Sequence, residues 1–239
     1  MIQIWLENDS TGRFRRNAAS SFHAGSLILC IFLALNTAVA AEGGEIHKAI
    51  VKGKLNRVVA LLQDHPELIE NLDNLGRTPL FVAVAHNQLE IAELLLANGA
   101  NVNARDGSGH TPLIQAMWVY NHDKMVRLLL AKGADVNLED KWSMTALAYA
   151  VQQGQIEDAK ILIANDGNIN VISGKSPLYF AVIGTHTEMV ELLLANGADA
   201  NYKVGGFSLL HYAKQDNYLA NEFSDPKIEA LLKKYGGHD

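Results

Sequence analysis

Apolar residues recur along this chain in short bursts that repeat at a nearly constant interval. Four aliphatic triplets stand out: Leu94-Leu95-Leu96, Leu128-Leu129-Leu130, Ile161-Leu162-Ile163 and Leu192-Leu193-Leu194. Ahead of each lies a short motif, Thr78-Pro79-Leu80, Thr111-Pro112-Leu113, Thr145-Ala146-Leu147 and Ser176-Pro177-Leu178, at spacings of 33, 34 and 31 residues. A weaker copy is Ser208-Leu209-Leu210-His211. Gly99, Gly133, Gly167 and Gly197 follow the triplets, and after them come Asn101-Val102-Asn103, Asp135-Val136-Asn137, Asn168-Ile169-Asn170 and Asp199-Ala200-Asn201. A period of this length marks stacked units that share a core, none of which buries its own apolar face.

Each motif reads as a helix start. Thr78 is suited to accept a free backbone N–H, and Pro79 fills the first helical position, where its missing N–H costs nothing. The pattern predicts a first helix over 80–86, rich in Ala and Val, and a second over 89–97 with Ile91, Leu94 and Leu95 on one face. Gly99 and its equivalents, Gly167 included, are expected as left-handed residues closing the second helix. Polar turn residues such as Asp106-Gly107-Ser108-Gly109 then form a hairpin to the next unit.

These motifs, in this order and period, resemble the ankyrin repeat. The resemblance runs from about residue 45 to residue 235 and implies an all-α solenoid of helix-turn-helix units joined by hairpin loops. Its expected divisions are a degenerate N-terminal unit at 45–72 (helices 46–52 and 55–63), repeats at 73–105, 106–139, 140–171 and 172–201, and a C-terminal unit at 202–235 whose second helix spans 227–235. Three lengths depart from the pattern: one extra residue around 118–121, a hairpin before Ser176 shorter by three, and seven extra residues around 218–226.

Residues 1–40 have a different character. Arg13, Arg15 and Arg16 precede an apolar run from Leu27 to Val39, and Ala38-Val39-Ala40 is a small-x-small site. This is the layout of a secretory signal peptide, with a mature chain beginning at Ala41; the alternative is an uncleaved membrane anchor. The expected location is the periplasm of a Gram-negative bacterium, in likeness to exported bacterial ankyrin-repeat proteins. Cys30, the single cysteine, lies in this segment, so a mature chain would carry neither disulfide nor thiolate.

Composition narrows the chemistry. Of 239 residues 49% are hydrophobic and 19% charged, with net charge −6. Removing the three arginines and two acids of residues 1–40 gives −7. Without clustered Lys and Arg, no nucleic-acid surface is expected, nor a membrane surface once the signal is cleaved. No phosphate-cradling loop or nucleophile elbow occurs. The nine histidines show no metal-ligand spacing, and the resemblance gives those near capping motifs and turns scaffold hydrogen bonds. No enzyme activity, cofactor or metal is expected.

The resemblance implies that hairpin tips and the exposed side of the first helices bind another protein. Carried over by position, that surface comprises Arg77, His86, Arg105, His110, Trp118, Tyr120, Lys141, Trp142, Met144, Lys175, Tyr202 and Phe207. It is rich in the residue types that dominate binding hot spots, although Trp118 and Phe207 also suit ordinary packing. The expected function is a monomeric, non-enzymatic binding scaffold or adaptor. Alternatives are an immunity protein blocking a toxin or hydrolase, and a small-molecule binder.

Overall fold

The structure is a computed structural model. It describes residues 44–119, 122–170, 176–214 and 225–239, all within the unit Asn36–Asp239. The expected signal peptide lies outside the described residues, among which no helix is long and apolar enough to cross a membrane.

Twelve α-helices are arranged in six pairs among the described residues: α1 (Glu45–Val51) with α2 (Leu55–Asp64), α3 (Pro79–Ala85) with α4 (Leu89–Ala97), α5 (Pro112–Ala116) with α6 (Asp123–Ala131), α7 (Ala146–Gln152) with α8 (Ile156–Ala164), α9 (Pro177–Ile183) with α10 (Thr187–Ala195), and α11 (Leu209–Lys214) with α12 (Pro226–Lys234). A 3₁₀ turn, Pro66–Glu70, follows α2. The last hairpin pairs two short antiparallel strands, β1 (Lys203–Val204) and β2 (Phe207–Ser208). First helices pack on first helices in chain order, as do most of the second helices. Fully buried Ala83, Ala116, Ala150 and Ala181 let the first helices approach closely.

The helix starts follow the capping chemistry. Thr78, Thr111, Thr145 and Ser176 each accept the backbone N–H three residues on, at 3.2–3.3 Å. Ser208 Oγ does the same for His211 at 3.0 Å. At the second-helix ends Gly99, Gly133 and Gly197 have φ of +88°, +82° and +91°. The third repeat differs from expectation: Asp166, with φ +65°, is the left-handed residue, and Gly167 takes the position Ala100 holds elsewhere. Ser143 and Thr185 likewise adopt φ of +56° and +53° without being glycine.

The Asn/Asp-x-Asn triplets join the units. The first residue of each closes a local turn, as Asp135 Oδ1 does on Asn137 N at 2.9 Å. The third reaches the next unit twice. Asn137 accepts from Asn168 N at 2.7 Å and donates to the Asp166 carbonyl at 3.0 Å. Asn103 clasps Asp135 N and Gly133 O, Asn170 clasps Asp199 N and Gly197 O, and Asn201 clasps His238 N and Gly236 O. Glu70 starts the ladder by accepting from Asn101 N at 2.6 Å. Backbone bonds also tie neighbouring tips, from Gly107 N to Leu75 O and from Lys141 N to Ser108 O.

One core position breaks the hydrophobic period. Where the other repeats bury Ile91, Met125 and Met189, the third buries Asp158. A carboxylate is tolerated there because His122, from the turn before α6, donates Nε2 to Asp158 Oδ2 at 2.9 Å. The same joint carries a second irregularity. Helix α5 has five residues where α3, α7 and α9 have seven, and the Met117 carbonyl at its end accepts from both Gln153 and Gln155 Nε2, at 3.1 and 3.0 Å.

Candidate functional site

The hairpins are built on an inward-turned acid, buried at Asp73 and Asp140 and half-buried at Asp106. Asp73 Oδ1 accepts the N–H groups of Leu75 and Arg77, Asp106 those of Ser108 and His110, and Asp140 those of Trp142 and Met144, all at 2.8–3.0 Å. This leaves the residue two places after the acid at the tip and turns the residue four places after it inward. Leu75 and Trp142 are therefore exposed, Trp142 at 63%, while Arg77, His110 and Met144 are buried. These last three were expected on the binding surface, and the turn geometry puts them inside it instead.

Arg77 grips Asp73 Oδ2 through Nε and Nη2, at 2.7 and 2.6 Å, and its carbonyl accepts from buried His47 Nε2 at 3.1 Å. Burial opposes the charge on Asp73, but the Arg77 bonds outweigh it and hold the carboxyl below its ordinary range. His47 is held low chiefly by burial. His86 is also held low, by burial and then by the Arg77 charge; it is half-buried, and its Nε2 has no hydrogen-bond partner among the described residues.

A continuous aromatic path crosses the joint between the second and third repeats. Trp118, half-buried, meets Tyr149 edge-on with ring centres 5.1 Å apart; Tyr149 meets His110 at 6.1 Å; and His110 lies under Trp142 at 5.5 Å and a 34° tilt. The path is anchored from below. Tyr149 Oη donates to Asp140 Oδ2 at 2.6 Å, and the His110 nitrogens lie 3.6 Å from Asp106 and 3.3 Å from Asp140. Burial, then Asp140, pushes the Tyr149 hydroxyl far above its usual range, so it remains a donor.

Two cations tie the hairpin that carries Trp142 to the one before it. Arg105 Nη1 reaches forward to the Glu139 carbonyl at 2.7 Å, and Lys141 Nζ reaches back to the Gly107 carbonyl at 2.6 Å. Both are exposed. A second aromatic group sits on the last unit, where Phe207, 51% exposed, stacks on His211 at 4.5 Å and meets Tyr212 edge-on. Half-buried Tyr202 packs against the core nearby. Tyr120 and Lys175 lie outside the described residues. Tyr149 and Tyr212 sit within apolar helix patterns, where sequence position does not mark them as site residues; His211 belongs to the capping motif, and Leu72, 60% exposed, falls at a unit boundary.

His122, Asp123 and Asp158 bring three donor groups within 4.8 Å of one another. The geometry is that of an ion pair rather than a metal cradle. His122 Nδ1 faces the Val119 carbonyl and Nε2 faces Asp158, so both ring nitrogens are directed at acceptors of the protein itself. Burial lowers the His122 pKa, but the Asp158 bond outweighs it and the net shift is upward.

Comparison with known proteins agrees with this architecture. The family described as Ankyrin repeats (3 copies) matches residues 45–106, 99–173 and 147–229. The B-cell lymphoma 3 protein homolog of Mus musculus is 30% identical over 212 residues, covering 84% of this chain and 46% of that protein. The human transient receptor potential cation channel subfamily A member 1 is 30% identical over 160 residues, covering 66% of this chain and 14% of that one. The chain thus spans less than half the length of these relatives. An ankyrin repeat domain from Acinetobacter baumannii AYE superposes with TM-score 0.70 at 29% identity, covering 81% of this chain and 98% of that one. The human ASB11 ankyrin repeat domain gives 0.65 at 27% identity, covering 82% and 85%. Motif, stacking and likeness converge, and the chain belongs to the ankyrin-repeat family.

Proposed function

We propose that this protein is a non-enzymatic scaffold or adaptor that grips another protein with its hairpin tips and the exposed flank of its first helices, after export to the periplasm. The observation that carries the reading is Trp142, a large aromatic side chain presented at an exposed tip by a rigid, buried hydrogen-bond set. Exposed aromatics on a preorganised base are what binding hot spots require, and without a partner they are a liability. Phe207 on the last unit provides a second anchor of the same kind. An inhibitor of a toxin or hydrolase is the narrower form of this reading and would use the same surface.

A photo-crosslinking amino acid placed at position 142 of the full chain, expressed in its own cells, tests the reading. A discrete protein adduct is expected, absent when the crosslinker sits at Lys160 on the far helix. No adduct at 142, or equal labelling at 160, would count against it. Export is supported by the basic, apolar and small-x-small order of residues 1–40. Sequencing of the mature N-terminus should begin at Ala41, and a full-length chain retained in the cytosol would rule export out.

A further inference from the structure

We infer that the tip of the joint between the second and third repeats takes an acidic segment of a protein partner, with apolar anchors laid on Trp142 and carboxylates set on Arg105 and Lys141. This rests on the protein-binding reading above and names the chemistry of the segment.

The argument starts from charge placement. The chain is net negative, yet its acids and cations occupy different places. The second helices of the four central repeats, α4, α6, α8 and α10, carry Glu90, Glu93, Asp123, Glu157, Asp158, Glu188 and Glu191 against Lys124, Arg127 and Lys160. At the tips the balance shifts. Asp73, Asp106 and Asp140 are turned inward to hold the turns, while Arg105 and Lys141 face solvent with half-buried Glu139 as the acid next to them in sequence.

Neither cation is spent within the protein. Each bonds a backbone carbonyl of the neighbouring hairpin, Arg105 that of Glu139 and Lys141 that of Gly107, and neither has a carboxylate partner among the described residues. A guanidinium has five N–H donors and an ammonium three. One bond each holds the two groups across the hairpin pair that carries Trp142 and leaves donors over for a partner. The carbonyl contacts therefore remove side-chain freedom before any partner arrives, which lowers the ordering cost of binding. Trp142 is restrained in the same way by His110 beneath it. The result is an exposed apolar ring on the same pair of hairpins as two held cations with no carboxylate partner among the described residues, complementary to carboxylates interleaved with apolar side chains.

The test uses the purified full chain and labelled peptides in which Phe and Leu alternate with Asp and Glu, with twins carrying Lys or Ser at the acidic places, and a single-stranded oligo-dT. Fluorescence anisotropy should show binding of the acidic peptide alone, weakened about tenfold or more by Arg105→Glu with Lys141→Glu, by Trp142→Ala, and by raising salt from about 50 to 300 mM. Far-UV circular dichroism of each variant should match the parent. Equal binding of the Lys or Ser peptides would overturn the charge assignment, as would indifference to the double reversal, while leaving protein binding in place. Preferred binding of oligo-dT would overturn the protein segment as occupant. If no peptide binds, the proposal fails, and the crosslinking experiment at position 142 decides separately whether the wider reading falls with it.

Discussion

Replacing Asn137 with Ala removes one rung of the ladder that joins the second repeat to the third. Two hydrogen bonds are lost, from Asn168 N–H at 2.7 Å and to the Asp166 carbonyl at 3.0 Å. Each such bond contributes about 0.5–1.5 kcal/mol net. Asn137 is exposed, so water can satisfy the groups left behind, and the lower half of that range applies. The expected loss is about 1–2 kcal/mol. For a domain of this size that lowers the melting temperature by roughly 2–8 °C. Because stability in a solenoid is the sum of unit and interface contributions, a weakened joint should also broaden the urea transition. Asn137→Asp keeps the acceptor and loses the donor, so it should fall between Ala and the parent. Hydrogen exchange gives the local readout: the Asn168 amide should lose protection in Asn137→Ala and keep it in Asn165→Ala, whose side chain only bonds the Ile161 carbonyl of its own helix. A melting temperature within about 1 °C of the parent, with Asn168 exchange unchanged, would refute the ladder as a source of cohesion.

Other consequences are open to measurement. Arg77→Leu should destabilise by about 3–5 kcal/mol, because it strands the buried Asp73 carboxylate; a surface-like change below about 0.5 kcal/mol would return Arg77 to the binding face. Asp166→Gly and Thr185→Gly should each raise the melting temperature by roughly 2–4 °C, since both residues hold a positive φ that glycine adopts without strain, and a fall would mean that side-chain contacts outweigh the backbone gain. The N-terminal end and the middle of the array should respond oppositely to pH. The His122–Asp158 pair, with His122 raised, contributes fully below about pH 6.5 and is lost as pH rises through the folded value. His47 and His86, lowered by burial, favour folding above about pH 6.5 and weaken it as pH falls through their folded values. Hydrogen exchange should show α1 opening in acid and the joint at α8 loosening in mild base, and the basic-side loosening should disappear in a His122→Gln variant.

The 33-, 34- and 31-residue spacings and the capped Thr/Ser-Pro starts were enough to set the helix pairs, because capping and apolar periodicity are local chemistry that any stacked unit must satisfy. Helix bounds came within a residue or two for the same reason. What sequence order left open was which polar side chains point inward. Arg77, His110 and Met144 are in hairpins and look like tip residues, yet the acid four places earlier turns each of them inside. Asp158 sits at a core position because His122, 36 residues away, completes its hydrogen bonding. Asp166 takes the left-handed position that composition assigns to Gly167, since the helix end is set by register and not by residue preference. Trp142 and Trp118 are alike as sequence, but one stands 63% exposed over His110 and the other folds against Tyr149. Periodicity specifies which faces must be buried; only the stacking of one unit on the next brings together the partners that allow a charge to go inside and leave an aromatic ring outside.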